Sequence, residues 1–268
     1  MISWPLLKIT IKNHYKILSI FCLVLIIYFM FIAYMFDPKD MEAMNNMTKM
    51  IPKSFVSAMN FDSIAAPTLA GFLASYYYGF LILLFPMIFN IIVSNTIIAK
   101  LVDQGAMAYL LATPNSRKKI AFTQALFLLL SNVALIAILF IVGAGICRIL
   151  FPGELDIKLF VELNAGALLI QLAVSAIGFL ASCAFNESKQ SLSVGAGLPI
   201  AFLLVQMLSG AGEKLSFLKY VTIFSLYNSK EFVTGEADFW LSAFILAMLS
   251  AGLYVAGIFL FTKKDLPL

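Results

Sequence analysis

Residues 120–147 read IAFTQALFLLLSNVALIAILFIVGAGIC, a run without one Asp, Glu, Lys, Arg or His. Its apolar positions are continuous rather than alternating, so it does not describe a barrel strand. As a helix it is long enough to cross the roughly 30 Å of a bilayer's hydrocarbon core. A helix is also the only open-ended element that satisfies its own backbone in lipid. The stretch predicts a membrane-spanning helix, and five more runs of the same kind accompany it, at 17–36, 69–95, 163–185, 191–212 and 239–262.

The composition agrees. Of 268 residues, 62% are apolar and 12% are charged, against about 45–50% and about 25% in soluble domains. Mean hydropathy is +0.98. A soluble globule needs a polar skin that this chain cannot supply. Soluble enzymes, nucleic-acid-binding modules and disordered tails are excluded. The expected fold is an all-α membrane protein with six transmembrane helices. The first run is too long for the core of a signal peptide, and it continues into Phe36-Asp37-Pro38 without a small-residue cleavage site.

Six crossings put both chain ends on one side. On that side lie Lys8, Lys12, Lys16, Lys100, Arg117, Lys118, Lys119, Lys189, Lys263 and Lys264. The other side holds Lys39, Lys49, Lys53, Arg148, Lys158, Lys214, Lys219 and Lys230. Ten basic residues against eight, with the dense Arg117-Lys118-Lys119 cluster among the ten, predict cytoplasmic termini. Lys8, Lys12 and Lys16 recur every four residues and share one helical face, with Leu7, Ile11 and Leu18 on another. Ser3 and Pro5 suit a helix start, and Trp4 suits the headgroup zone. The pattern is that of an N-terminal interfacial helix, or of a basic flank to the first span.

No span carries a charge near its centre. Asn90, Asn132, Gln171 and Gln206 stand there instead, and interhelical hydrogen bonding is their expected role. Without embedded ionisable relays, energy for any transport is expected to enter from outside the membrane. Pro86 and Pro199 can kink their spans. Ser191, Gly195, Gly197, Gly143, Gly145, Ala247, Ala251, Gly252 and Ala256 allow close helix approach. Cys22, Cys147 and Cys183 read as small hydrophobes, and His14 has no neighbouring ligand set, so no metal site is expected. The loop 37–68 includes a formal glycosylation sequon, Asn46-Met47-Thr48. In 213–238, Phe217, Tyr220, Phe224 and Tyr227 have the spacing of one helical face, which suits an interfacial aromatic anchor or a cap over a pathway.

The link between the second and third runs is the most informative: Ile97-Ile98-Ala99-Lys100-Leu101-Val102-Asp103-Gln104-Gly105-Ala106-Met107-Ala108-Tyr109-Leu110-Leu111-Ala112-Thr113-Pro114-Asn115-Ser116-Arg117. Asp103 can lie near a helix N-terminus, where a carboxylate is favourable. Pro114 ends a helix and marks the turn back to the membrane. Arg117 can fork to a carboxylate or a carbonyl. The arrangement of an acid, a Gly, a Leu-Leu pair and then Pro-x-Ser-Arg resembles the corresponding link in the membrane subunits of type-2 ABC exporters. The ending Phe261-Thr262-Lys263-Lys264-Asp265-Leu266 is similar to that family's aromatic-basic-Asp ending.

The resemblance implies a single transmembrane permease domain over residues 1–268 with a cytoplasmic coupling helix between spans two and three. It implies coupling to an ATPase through Asp103, Gly105, Leu110, Leu111, Pro114 and Arg117. The chain lacks the G-x-x-x-x-G-K-[ST] phosphate loop. No catalytic residue or cofactor is therefore expected on it, and ATP and Mg would sit on a separate ATP-binding subunit. The partners implied are that subunit, a second permease subunit and the lipid bilayer, with no nucleic acid. The implied place is the plasma membrane, multi-pass. Substrate would move by alternating access at the dimer interface, lined mainly by spans two and five. A membrane immunity or maturation factor without transport is the alternative. An intramembrane enzyme is disfavoured, because the spans hold no embedded His, Asp, Glu, Lys or Arg to serve as acid, base or ligand.

Overall fold

The computed structural model describes residues 2–37, 68–210 and 213–265. The loop around the Asn46 sequon lies outside the described residues. Helix α1 covers Trp4–Tyr34. The second span is α2, Leu69–Tyr76, a π-helical segment, Tyr77–Leu81, and α3, Ile82–Ile97. Two short helices follow, α4 at Ala99–Asp103 and α5 at Ala106–Leu111. Then come α6 at Arg117–Leu150, α7 at Ile157–Ala184 and α8 at Ser188–Gly210. Two 3₁₀ segments, Glu213–Tyr220 and Ile223–Leu226, lead to α9, Ser229–Thr234, and α10, Phe239–Lys263. Six of these stretches are long and apolar enough to cross a membrane.

Local chemistry sets the boundaries. Thr68, Ser116, Asp156 and Asp238 each accept a hydrogen bond from a backbone N–H of the first turn they precede, at 2.9–3.2 Å. Such caps satisfy donors that the helix itself leaves free. Of the two readings of the first sixteen residues, a surface helix or a basic flank to the first span, the structure has no separate helix there: they open α1, which runs unbroken through 31 residues. After Pro5 this stretch has neither proline nor glycine to interrupt it. At 1.5 Å per residue it measures about 46 Å, so roughly a third of it overhangs a hydrocarbon core of about 30 Å.

Helix α7 is the hub. It packs against the second, third, fifth and sixth spans, and its side chains include the fully buried Phe160, Leu163, Ile170, Ala173 and Phe179. Close approach depends on glycine. A Cβ on Gly257 of α10 would lie 2.8 Å from the Phe179 ring, and one on Gly195 of α8 would lie 3.3 Å from the Gly178 Cα. Gly143 sits against Phe29 and Phe160. Gly145, Gly197 and Gly252, which share the same sequence pattern, have open space beside them. The four aromatic residues 217–227 do not share a face. Phe224 and Tyr227 are buried whereas Phe217 and Tyr220 are exposed, because two 3₁₀ segments replace the expected single helix. All three cysteines are buried and free.

Candidate coupling surface and the polar cluster in the membrane

Contacts between distant residues gather several segments at one end of the bundle. Ser3 N–H donates to Thr123 Oγ1 at 3.0 Å, and Arg117 Nη1 donates to the Lys264 carbonyl at 2.6 Å. Lys264 Nζ donates to the Cys183 carbonyl at 3.3 Å, and Ala99 N–H to Ser182 Oγ at 2.8 Å. The N-terminus, the C-terminal tail, the end of α7 and both ends of the α4–α5 hairpin thus meet. Burial pushes the Lys264 ammonium down to about 8.

The hairpin itself has an inner and an outer side. Val102 and Met107 are buried, with Leu101, Leu110 and Leu111 packed half-buried beside them. Asp103, Gly105 and Pro114 are exposed. Asp103 closes α4, and Gly105 starts α5 at φ +70°. That left-handed conformation costs an ordinary L-residue about 1–2 kcal/mol, so glycine is the residue that divides the expected single coupling helix into two. Pro114 lies in the turn between the end of α5 and the Ser116 cap of α6.

Of the six residues the sequence singled out, five belong to this hairpin and its exit. Arg117 does something different: its guanidinium is engaged with the chain's own tail. Tyr109 was not singled out, yet it is 81% exposed at the hairpin's outer side. Its signal is visible in retrospect, an aromatic at an outward position of a short helix whose inward positions are Met107, Leu110 and Leu111.

The second cluster lies in the middle of the spans. Asn90 Nδ2 donates to Asn132 Oδ1 at 3.0 Å and to Gln171 Oε1 at 3.1 Å, and Asn132 Nδ2 returns a bond to Asn90 Oδ1 at 2.9 Å. Gln171 Nε2 donates to the carbonyls of Ile82 and Leu83, each at 3.0 Å. The Ile82 carbonyl is the one whose helical donor Pro86 has removed. One amide of α7 therefore completes the broken ladder of the second span and ties it to the fourth, while Asn90 and Asn132 tie it to the third. All three side chains are at most 1% exposed. Gln206, the fourth central amide, stands apart: its Oε1 has no partner and it lines an outer cavity of about 180 Å³ with Ser209 and Asn228.

The sequence of residues 10–266 matches the model of the ABC-2 family transporter proteins. None of the curated proteins compared with the chain matches it.

Proposed function

Because this chain belongs to the ABC-2 family of transporter proteins, we propose that it is the permease subunit of an ATP-driven exporter. It pairs with a second permease subunit in the plasma membrane with both termini cytoplasmic. A separate ATP-binding subunit, holding ATP and Mg, docks on each. Substrate moves by alternating access at the interface between the two permeases.

The observation that carries this reading is the braced hairpin. A motor can push only on something stiff. The α4–α5 hairpin is anchored inward by Val102 and Met107, at its start by Ser182 and at its exit by the Ser116 cap and the Arg117 tie. Asp103, Gly105 and Pro114 form the docking surface, with Tyr109 as its aromatic anchor and the half-buried Leu110 and Leu111 backing it from the inner side. Buried aromatic anchors carry much of the energy of protein interfaces. Arg117 acts within the chain, linking the hairpin's exit to the end of the sixth span, so that a push there reaches two spans together.

The purified chain is expected to hydrolyse no ATP alone, and to support substrate-linked hydrolysis when reconstituted in vesicles with its ATP-binding subunit. Steady turnover by the isolated chain, free of contaminating ATPase, overturns this assignment.

A further inference from the structure

A cavity of about 430 Å³ lies at the end of the bundle away from the chain termini, where α6 gives way to α7. Phe140, Ala144 and Arg148 of α6 line it at every fourth residue, so they stand one above another on a single helical face. Ile157 and Phe160 of α7 form the other wall. The Phe140 and Phe160 rings stack 5.4 Å apart and close the deep end. Ala144, small between those rings and the arginine, leaves the space open.

The loop above the cavity is held in place. Pro152 and Gly153 make a tight turn, with Glu154 N–H donating to the Phe151 carbonyl at 3.2 Å and Gly153 at φ +87°. Proline followed by a left-handed glycine suits such a turn. The Phe151 ring meets Phe36 edge-on at 5.3 Å, and the Asp156 side chain caps α7 at 3.1 Å. Phe151, Gly153 and Leu155 complete the lining as a roof.

Arg148 is the one lining residue with a polar side chain. Its guanidinium has no hydrogen-bond or ion-pair partner among the described residues, and Lys158 and Glu162 on α7 pair with each other at 3.9 Å. Water does not suit the space, because a bound water wants two to four polar partners and Arg148 supplies the only polar side chain. Ile141, Ile149, Ile157 and Val161 on the same two helices are exposed, so the cavity lies on a lipid-facing side of the bundle.

The geometry selects an amphiphile. Phe140 lies eight residues below Arg148, about 12 Å along the helix axis. A cation at the rim and stacked rings at the floor match an anion joined to a hydrocarbon chain. The planar guanidinium fork fits phosphate in particular. Glu154 and Asp156 are exposed on the same loop, so the rim has no excess of positive charge with which to select a net-anionic head. The phosphate itself is what Arg148 reads. We propose that this cavity binds one phospholipid per chain. The phosphate sits on Arg148, and one acyl chain runs past Ala144 onto the Phe140–Phe160 pair.

The test uses the full chain in mild detergent, with retained lipid read by native mass spectrometry. Phosphatidylglycerol, phosphatidylethanolamine and a diacylglycerol with the same acyl chains are offered separately. One molecule of either phospholipid per chain is expected, at least about fivefold over the diacylglycerol. Arg148→Gln is expected to lower phospholipid retention about fivefold. Ala144→Phe fills the space with Arg148 intact and should lower it as much, whereas Lys158→Gln, at the same end but outside the cavity, should leave it within about twofold. Retention of both phospholipids no better than the diacylglycerol overturns the proposal. So does unchanged retention in Ala144→Phe, or an equal loss in Lys158→Gln. The readout needs no ATP-binding subunit, so it stands or falls apart from the transport reading.

Discussion

Replacing Gly178 by leucine is expected to cost the chain its folded state. Gly178 lies on α7, and a Cβ there would collide with the Ser94 side chain of the second span. The Gly178 backbone is also what Gly195 of the fifth span closes upon. Leucine therefore wedges the interface between the central helix and the second span. Overpacking a tight core costs about 1–3 kcal/mol and sometimes more. With the Ser94 Cβ itself only 2.9 Å from the added atom, the upper part of that range applies. Monodisperse yield on size exclusion is expected to fall at least about tenfold. Gly252→Leu, where an added Cβ meets nothing within 4 Å, serves as the control and should express like the wild type. Equal yields for the two variants would contradict the hub role of α7.

Gln171→Met should lower thermal stability steeply without changing side-chain bulk much. It removes the donors to the Ile82 and Leu83 carbonyls and the acceptor of Asn90 Nδ2. Interhelical hydrogen bonds in membranes average about 0.6 kcal/mol with a maximum near 1.7, whereas an orphaned buried group costs about 1–3. Three bonds lost, one of them at a proline-broken ladder, suggest about 2–4 kcal/mol. For a chain of this length that corresponds to a drop of roughly 5–15 °C in the melting midpoint. Gln206→Met removes an amide whose oxygen bonds nothing, and its midpoint should stay within about 2 °C of wild type. The same midpoint for Gln171→Met would show that the three-amide cluster does not hold the spans together.

The sequence made the spans legible because each is a continuous apolar run, and the observed helices match the expected ones closely at residues 69, 239 and 262–263. The start of the first span was less legible. Lysines every fourth residue describe a face of a helix, but they do not say where that helix ends, and nothing after Pro5 breaks it. The π segment at Tyr77–Leu81 has no composition signal of its own. The aromatic spacing at 217–227 suggested one helix, but the chain breaks at Val221–Thr222, where the Thr222 side chain caps a new segment. In the candidate site, residue types were readable and partners were not. Asn90, Asn132 and Gln171 announced hydrogen bonding, yet which amide mends the Pro86 gap depends on residues more than eighty positions apart. Arg117 announced a carbonyl or carboxylate ligand, and the ligand proves to be a carbonyl 147 positions along the same chain.

The central claim is that the α4–α5 hairpin is the surface on which an ATP-binding subunit docks. The most direct measurement places a single cysteine at position 109, after Cys22, Cys147 and Cys183 are replaced, and treats native membranes with a short thiol-to-amine cross-linker. The account predicts one major adduct, whose second component is the ATP-binding subunit, diminished when Gly105 is also changed to leucine. Labelling of position 109 by an impermeant maleimide in intact cells, with no such adduct, would put the hairpin on the wrong side of the membrane and contradict the account.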